Sequence, residues 1–209
     1  MHADEKIRIL VADDHYIVRT GLVSLIGTAG DMLVVCQANS GKSAIEQSRA
    51  HQPDIALLDL RMPEGGGAPT IKAIKSEFPD CGIIVFSAFN GDEDIFRAFD
   101  AGANGYILKS SIGDDLLDAI REVYAGRKWI PRDVSSRLAI RKTHETLTPR
   151  EIEVLSEIAH GKSNKEIASQ LQISDYTVKD HIKNILGKMQ VAARTEAVTV
   201  AIQRGIIEI

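Results

Sequence analysis

Along the first 126 residues, short apolar runs alternate with amphipathic stretches. Ile7–Ala12, Met32–Ala38, Ile55–Leu58, Ile83–Phe86 and Gly105–Leu108 are brief, β-branched or apolar, and mostly lack polar alternation. Strands covered on both faces read this way. Between them, residues 16–28, 42–51, 68–77, 92–101 and 114–125 place apolar side chains at helical spacing. Such strand–helix repeats predict a parallel sheet with helices on both faces. Right-handed crossovers favour an α/β doubly wound, five-stranded sheet in the order 2-1-3-4-5.

After Gly126 the pattern changes. Residues 127–145 contain Pro131, the pair Ser135-Ser136 and no strand pattern, so they read as a linker with a short helical stretch around Val134–Ile140. From Leu147 onward the signals are helical. Thr148-Pro149-Arg150-Glu151 supplies an N-cap, a proline at the first helical position and a capping-box glutamate. Ser163-Asn164-Lys165-Glu166 repeats the device after Gly161. Ser174 opens a third helix running to about Met189, and a fourth spans about 194–204. The expected organisation is a domain at 5–126, a linker at 127–145 and a small all-α four-helix domain at 146–209.

Composition narrows the class. The 209 residues are 44% hydrophobic and 26% charged, ordinary for a globular protein with a sizeable core. Two cysteines, Cys36 and Cys81, exclude a disulfide scaffold and a cysteine-based zinc site. No apolar run approaches the ~18 residues of a membrane span. The first residues lack the apolar core of a secretory signal, so a cytoplasmic, reducing compartment without membrane attachment is expected.

Charge divides the chain. Residues 1–126 carry 11 basic and 19 acidic side chains, a balance of −8, and residues 127–209 carry 14 and 10, a balance of +4. The basic excess lies in 127–145, with 6 against 2, whereas 146–209 balances at 8 and 8. Bulk charge therefore does not establish nucleic-acid binding; residue positions must.

In a doubly wound sheet, ligands bind outside the carboxyl ends of the strands. There the first strand runs into Asp13-Asp14, the third into Asp59, the fourth into Ser87 and the fifth into Lys109. Converging carboxylates repel unless a cation neutralises them, and hard oxygen donors suit Mg²⁺. A lysine opposite offers a point charge to an anion and a serine one hydrogen bond, while a carboxylate can itself act as a nucleophile and form an aspartyl-phosphate. Any one of these residues alone is an ordinary loop residue; five of them at four strand ends are not. His15 beside the pair reads as structural, and Gly65-Gly66-Gly67, too short and wrongly spaced for a phosphate-cradling loop, reads as a flexible turn.

Ala12-Asp13-Asp14-His15, Leu58-Asp59-Leu60-Arg61-Met62-Pro63 with Gly67, Phe86-Ser87-Ala88 and Gly102-Ala103-Asn104-Gly105-Tyr106-Ile107-Leu108-Lys109 resemble the receiver domain of two-component response regulators. The resemblance covers residues 5–126 in order. It implies that Asp59 accepts a phosphoryl group from a sensor histidine kinase, with Mg²⁺ held by Asp14, Asp59, Asp13 directly or through water, and the Arg61 carbonyl. Ser87 and Lys109 would grip the phosphoryl oxygens. Tyr106 would be a rotameric switch that follows Ser87 inward on phosphorylation. Many receivers place a cis proline after the lysine; here Ser110 stands there.

The third helix of the C-terminal part has two faces. Val178, Ile182, Ile185, Leu186 and Met189 form an apolar stripe, and Lys179, Asp180, Lys183, Asn184 and Lys188 share much of the other side. A helix over about 164–171, a tight Gln172-Ile173-Ser174 turn and this helix are arranged like a pair that enters a major groove. An exposed polar face is by itself more often plain solvated surface. However, Leu147–Leu155, Gly161–Ala168, Ser174, Thr177-Val178-Lys179, His181 and Asn184-Ile185-Leu186 resemble the LuxR-type helix-turn-helix. That resemblance makes 164–183 the DNA-binding unit, with Thr177, Lys179, Asp180, Lys183, Asn184 and Lys188 as candidate contacts. It makes the last helix, with Ala197, Val200, Ala201 and Arg204, a dimerisation helix.

A receiver followed by a LuxR-type tail is the architecture of the NarL/FixJ subfamily of response regulators. The resemblance implies a phosphorylation-controlled transcription regulator without enzymatic turnover of a substrate. Its partners would be a sensor histidine kinase, double-stranded promoter DNA, RNA polymerase and a second copy of the chain when phosphorylated. An alternative is a Mg²⁺-dependent phosphatase forming an aspartyl-phosphate; such enzymes usually carry a second aspartate two residues after the nucleophile, where this chain has Arg61. A small-molecule-binding regulator would need an aromatic-lined pocket, whereas aromatics are 5% and the single tryptophan, Trp129, lies in the linker.

Overall fold

In the computed structural model, residues 6–88, 91–111 and 114–207 are described. The described residues divide into two compact units, one of 6–88 and 95–135 and one of 91–94 and 136–207. Among the described residues no helix is long and apolar enough to cross a membrane.

The first unit holds β1 (Ile7–Ala12), α1 (Tyr16–Gly27), β2 (Met32–Ala38), α2 (Gly41–His51), β3 (Ile55–Leu58), α3 (Ala68–Glu77), β4 (Gly82–Ser87), α4 (Asp92–Asp100), β5 (Gly105–Leu108) and α5 (Asp114–Tyr124). The five strands form one parallel sheet in the order β2-β1-β3-β4-β5, as the periodicity predicts. Every residue of the central strands β3 and β4 is buried, which explains their unbroken apolar runs. On one face Ile9, Val11, Leu57, Ile84 and Phe86 pack with Leu22 and Ile26 of α1 and Leu116, Ala119 and Ile120 of α5. Cys36 and Cys81 are free and buried, and burial pushes the Cys81 thiol up to about 11. Both are inert core.

Two features of 127–145 differ from the linker expected. Trp129 docks on the edge of the sheet: its N–H donates to Asn104 O, its carbonyl accepts from Tyr106 N at 3.1 Å, and its side chain packs on the core. The helix is also longer than its apolar pattern suggests, α6 running from Arg132 to Thr143. Lysine, arginine, leucine and alanine favour helix without forming a stripe, so periodicity alone underestimates it.

The second unit contains α7 (Pro149–Ala159), α8 (Asn164–Leu171), α9 (Asp175–Met189) and α10 (Arg194–Arg204). Full capping boxes join Thr148 to Glu151 and Ser163 to Glu166, and Ser174 caps α9 by accepting from Thr177 N. Each cap satisfies backbone donors that a helix start leaves open, so these ends are where the sequence puts them. Val154, Leu155, Ile158, Ile167, Val178, Ile185, Met189, Ala197 and Ala201 make a common core.

Candidate functional site

The strand register assembles the acidic pocket. Ala12 pairs with Leu58 and Leu58 with Val85, while Ser87 pairs with Leu108, so the residues that follow come level. Asp13, Asp59 and Ser87 are buried, whereas Asp14 and His15 are exposed. Lys109 Nζ lies 2.6 Å from Asp13 Oδ2 and 2.7 Å from Asp59 Oδ2. It also stands 5.8 Å from the centre of the Phe86 ring, within cation–π range. Asp13, Asp14, His15 and Asp59 each bring a ligand atom within 4.8 Å of the others. This acidic pocket could bind a metal ion.

His15 stands beside the pocket. Its backbone N–H donates to Asp13 Oδ1 at 2.8 Å and its ring Nδ1 is 2.7 Å from Asp14 Oδ1. Arg19, one helical turn on, donates to the Asp13 carbonyl at 2.6 Å and anchors this corner. Its spacing from the acidic pair was the available signal.

Electrostatics set the two central groups apart. Burial pushes the Asp59 carboxyl above its ordinary range; Lys109 opposes this through its hydrogen bond and charge, and the like charge of Asp13 adds to the rise. Burial works against the Lys109 ammonium, but hydrogen bonds and charge from Asp13 and Asp59 outweigh it and hold its pKa above normal. The lysine is thus a secure cation facing more negative charge than it neutralises, and an added cation would relieve the excess.

The loop after Asp59 is held by α2. Gly41 N and Lys42 N donate to the carbonyls of Pro63 and Glu64, both at 3.0 Å, and Thr70 Oγ1 donates to Gly65 O. A Cβ at Gly41 would lie 2.5 Å from the Gly65 backbone, and one at Gly66 2.6 Å from Met62 N. The glycine run is therefore a tight, obligatory turn rather than a flexible one. Arg61 N approaches Asp59 Oδ1 at 3.4 Å, and Lys109–Ser111 turns as a short 3-10 helix.

Tyr106 is fully buried, its ring 6.4 Å from that of Phe99 at 34°. Phe99 of α4 gives the ring an apolar neighbour.

On α9 the structure sorts the candidate contacts. Lys179, Asp180, Lys183 and Asn184 are exposed, and the opposite stripe of Val178, Ile185 and Met189 is buried. Lys179 also pairs with Asp175 at 2.7 Å, and the Thr177 hydroxyl lies 2.8 Å from Ser174 Oγ. Lys188 does not belong on the open face. Its ammonium turns in to Glu151 Oε2 at 2.7 Å, because the buried capping glutamate needs a counter-charge. A second correction concerns α10: Ala197 and Ala201 are core residues of their own domain, and Val200 packs against that core. Small side chains there let α10 approach its neighbours, so they cannot form a face for another copy. Arg204 is half-buried, and the open side of α10 carries Thr195, Thr199 and Ile202.

Residues 9–121 match the response regulator receiver domain family, and residues 145–201 match the bacterial regulatory proteins of the luxR family. This chain belongs to the response regulators with a LuxR-type DNA-binding domain. It is a DNA-binding transcription regulator. The response regulator protein VraR of Staphylococcus epidermidis is 38% identical over 207 residues, covering 97% of this chain and 99% of that one. VraR of Staphylococcus aureus is likewise 38% identical over 207 residues, with the same coverage. Among solved structures, the response regulator ChrA of a heme-sensing two-component system is 32% identical, with a TM-score of 0.58 and 97% and 99% of the two chains covered. RcsB from Salmonella enterica serovar Typhimurium, bound to a promoter in the presence of phosphomimetic BeF3-, is 28% identical, with a TM-score of 0.72 and 94% and 98% covered. For this response regulator, the acidic pocket falls in the receiver match and α9 in the luxR match.

Proposed function

We propose that Asp59 of this response regulator is the phosphoacceptor and that its phosphorylation controls promoter binding by the C-terminal domain. The observation that carries the reading is the bridge from Lys109, after β5, to both Asp13 and Asp59, at the carboxyl ends of the adjacent strands β1 and β3. Asp59 is the carboxylate best placed to react, since it follows β3 in the middle of the sheet with the lysine beside it. In the transfer, an Asp59 oxygen forms the new O–P bond as the N–P bond of a kinase phosphohistidine breaks, and the histidine nitrogen leaves with the electron pair. Lys109 meets the phosphoryl charge, and the Ser87 hydroxyl, buried at the end of β4, donates to one of its oxygens.

The donor set is all carboxylate and carbonyl oxygen apart from His15, which suits Mg²⁺. Asp13, Asp14 and Asp59 would hold it with the Arg61 carbonyl, and when bound it supplies charge neutralisation for the incoming phosphoryl group. Tyr106 and Ser87 act as the switch pair through a shift of populations, with inward Tyr106 the state that phosphate favours. The receiver then spans 5–126, the DNA-binding domain 146–209 with its helix-turn-helix at 164–183, and 127–145 joins them. The phosphorylated chain pairs with a second copy on promoter DNA and acts on RNA polymerase in the cytoplasm.

Acetyl phosphate with Mg²⁺ tests the pocket. It is expected to label wild-type protein at Asp59 with a phosphate that acid, base and hydroxylamine all release, and to label neither the Asp59→Asn protein nor metal-chelated wild type. Acid-stable, hydroxylamine-resistant label on a serine would contradict an acyl phosphate. Label that persists in the Asp59→Asn protein would place the acceptor elsewhere.

A further inference from the structure

We infer that Tyr176 is a specificity-determining contact of the recognition helix, reading the methyl group of a thymine. The inference rests on the DNA-binding role of α9 and goes beyond the polar contacts so far assigned there. Tyr176 is 73% exposed, among the most exposed large side chains of the protein. An apolar ring left in water on an otherwise polar face gains only if something covers it.

Its position points to the groove. Tyr176, Lys179, Asp180 and Lys183 fall at i, i+3, i+4 and i+7, one stripe of α9, opposite buried Val178, Ile185 and Met189. Tyr176 is the second residue after the Ser174 cap, in the first turn, and first-turn residues of a recognition helix reach base edges. From Tyr176 to Lys183 the helix rises about 10.5 Å. At about 3.4 Å per base pair that is roughly three steps. The two side chains therefore bracket a short stretch of sequence, the ring at one end and an exposed ammonium at the other.

The chemistry of the partner follows from the ring. In the major groove only thymine presents an apolar group, its C5-methyl, and apolar side chains read it by contact. Lys179 is already paired with Asp175, and Lys188 with Glu151, which leaves less hydrogen-bonding readout on this face than the sequence suggests. Discrimination by apolar contact would supply what those lysines do not.

The full-length protein, treated with acetyl phosphate and Mg²⁺, is used to select duplexes from a random-sequence pool, and each thymine of the selected site is replaced in turn by uracil. Wild-type protein is expected to lose about fourfold in affinity at one position of each half-site, the worth of one buried methyl. Tyr176→Ala should bind thymine and uracil duplexes alike there, and Tyr176→Phe should keep the wild-type preference. If every uracil duplex binds wild type as well as its parent, the inference is overturned. If Tyr176→Phe falls with Tyr176→Ala, the hydroxyl carries the contact and the methyl reading is overturned. If wild type selects no sequence at all, the DNA-binding reading fails, and this inference with it.

Discussion

Lys188 of α9 reaches across its domain to Glu151 of α7, with Nζ 2.7 Å from Oε2. Glu151 is buried and at the same time accepts from Thr148 N at 2.7 Å, closing the capping box. One carboxylate thus ties the start of the domain to the end of the recognition helix. Lys188→Ala should therefore act on stability: leaving that acceptor short of a partner costs about 1–3 kcal/mol. Lys183→Ala should leave thermal unfolding unchanged and weaken DNA binding instead. Calorimetry and binding isotherms on both variants separate the roles.

The same pair sets an acid limit. Burial alone would raise the Glu151 carboxyl, but Lys188 and the Thr148 backbone and hydroxyl outweigh it and hold its pKa below the usual carboxylate range. A depressed folded-state pKa stabilises above the unfolded value, about 4.3 for glutamate, and the gain is lost as pH falls through the folded one. Unfolding of the C-terminal domain should thus become steeply pH-dependent below about pH 4.3. Glu151→Gln should flatten that slope, and an unchanged slope in the variant would assign the acid sensitivity elsewhere.

Gly41→Ala should disturb the pocket from a distance. The new Cβ would meet the Gly65 backbone and Thr70 Oγ1 at 2.5 Å, crowding the loop that follows Asp59. Overpacking of this kind costs about 1–3 kcal/mol. Asp59 labelling should slow as well, whereas Gly21→Ala, in the interior of α1 with nothing within 4 Å, should leave labelling unchanged and cost no stability.

On α10, Ala201→Glu would bury an unpaired charge in the domain core and should abolish its cooperative unfolding. Ile202→Glu, on the open side, should fold normally. Sedimentation of the phosphorylated protein then shows whether that side joins two copies: the Ile202 variant should stay monomeric where wild type dimerises.

The sheet and its pocket were legible because periodicity and chemistry coincide there. Continuous apolar runs such as Ile55–Leu58 have one fold-compatible role, and the polar residue after each must lie at the sheet's edge of chemistry. The helix starts at Thr148, Ser163 and Ser174 were legible because capping is local. What pattern could not give was direction. Lys188 shares the i, i+4 spacing of the open face, yet a buried glutamate 37 residues away turns it inward. Ala197 and Ala201 look like a helix–helix seam, which they are, but within one domain. Trp129 carried no strand signal because a single bridge onto β5 needs no run of residues.

The most direct test of the account is the affinity of the full-length protein for its selected duplex, with and without acetyl phosphate and Mg²⁺, for wild type and Asp59→Asn. The account predicts that phosphodonor tightens wild-type binding and leaves Asp59→Asn unchanged at the weaker, unphosphorylated level. Equal affinity of labelled and unlabelled wild type would contradict it, as would tightening of the Asp59→Asn protein by the same donor.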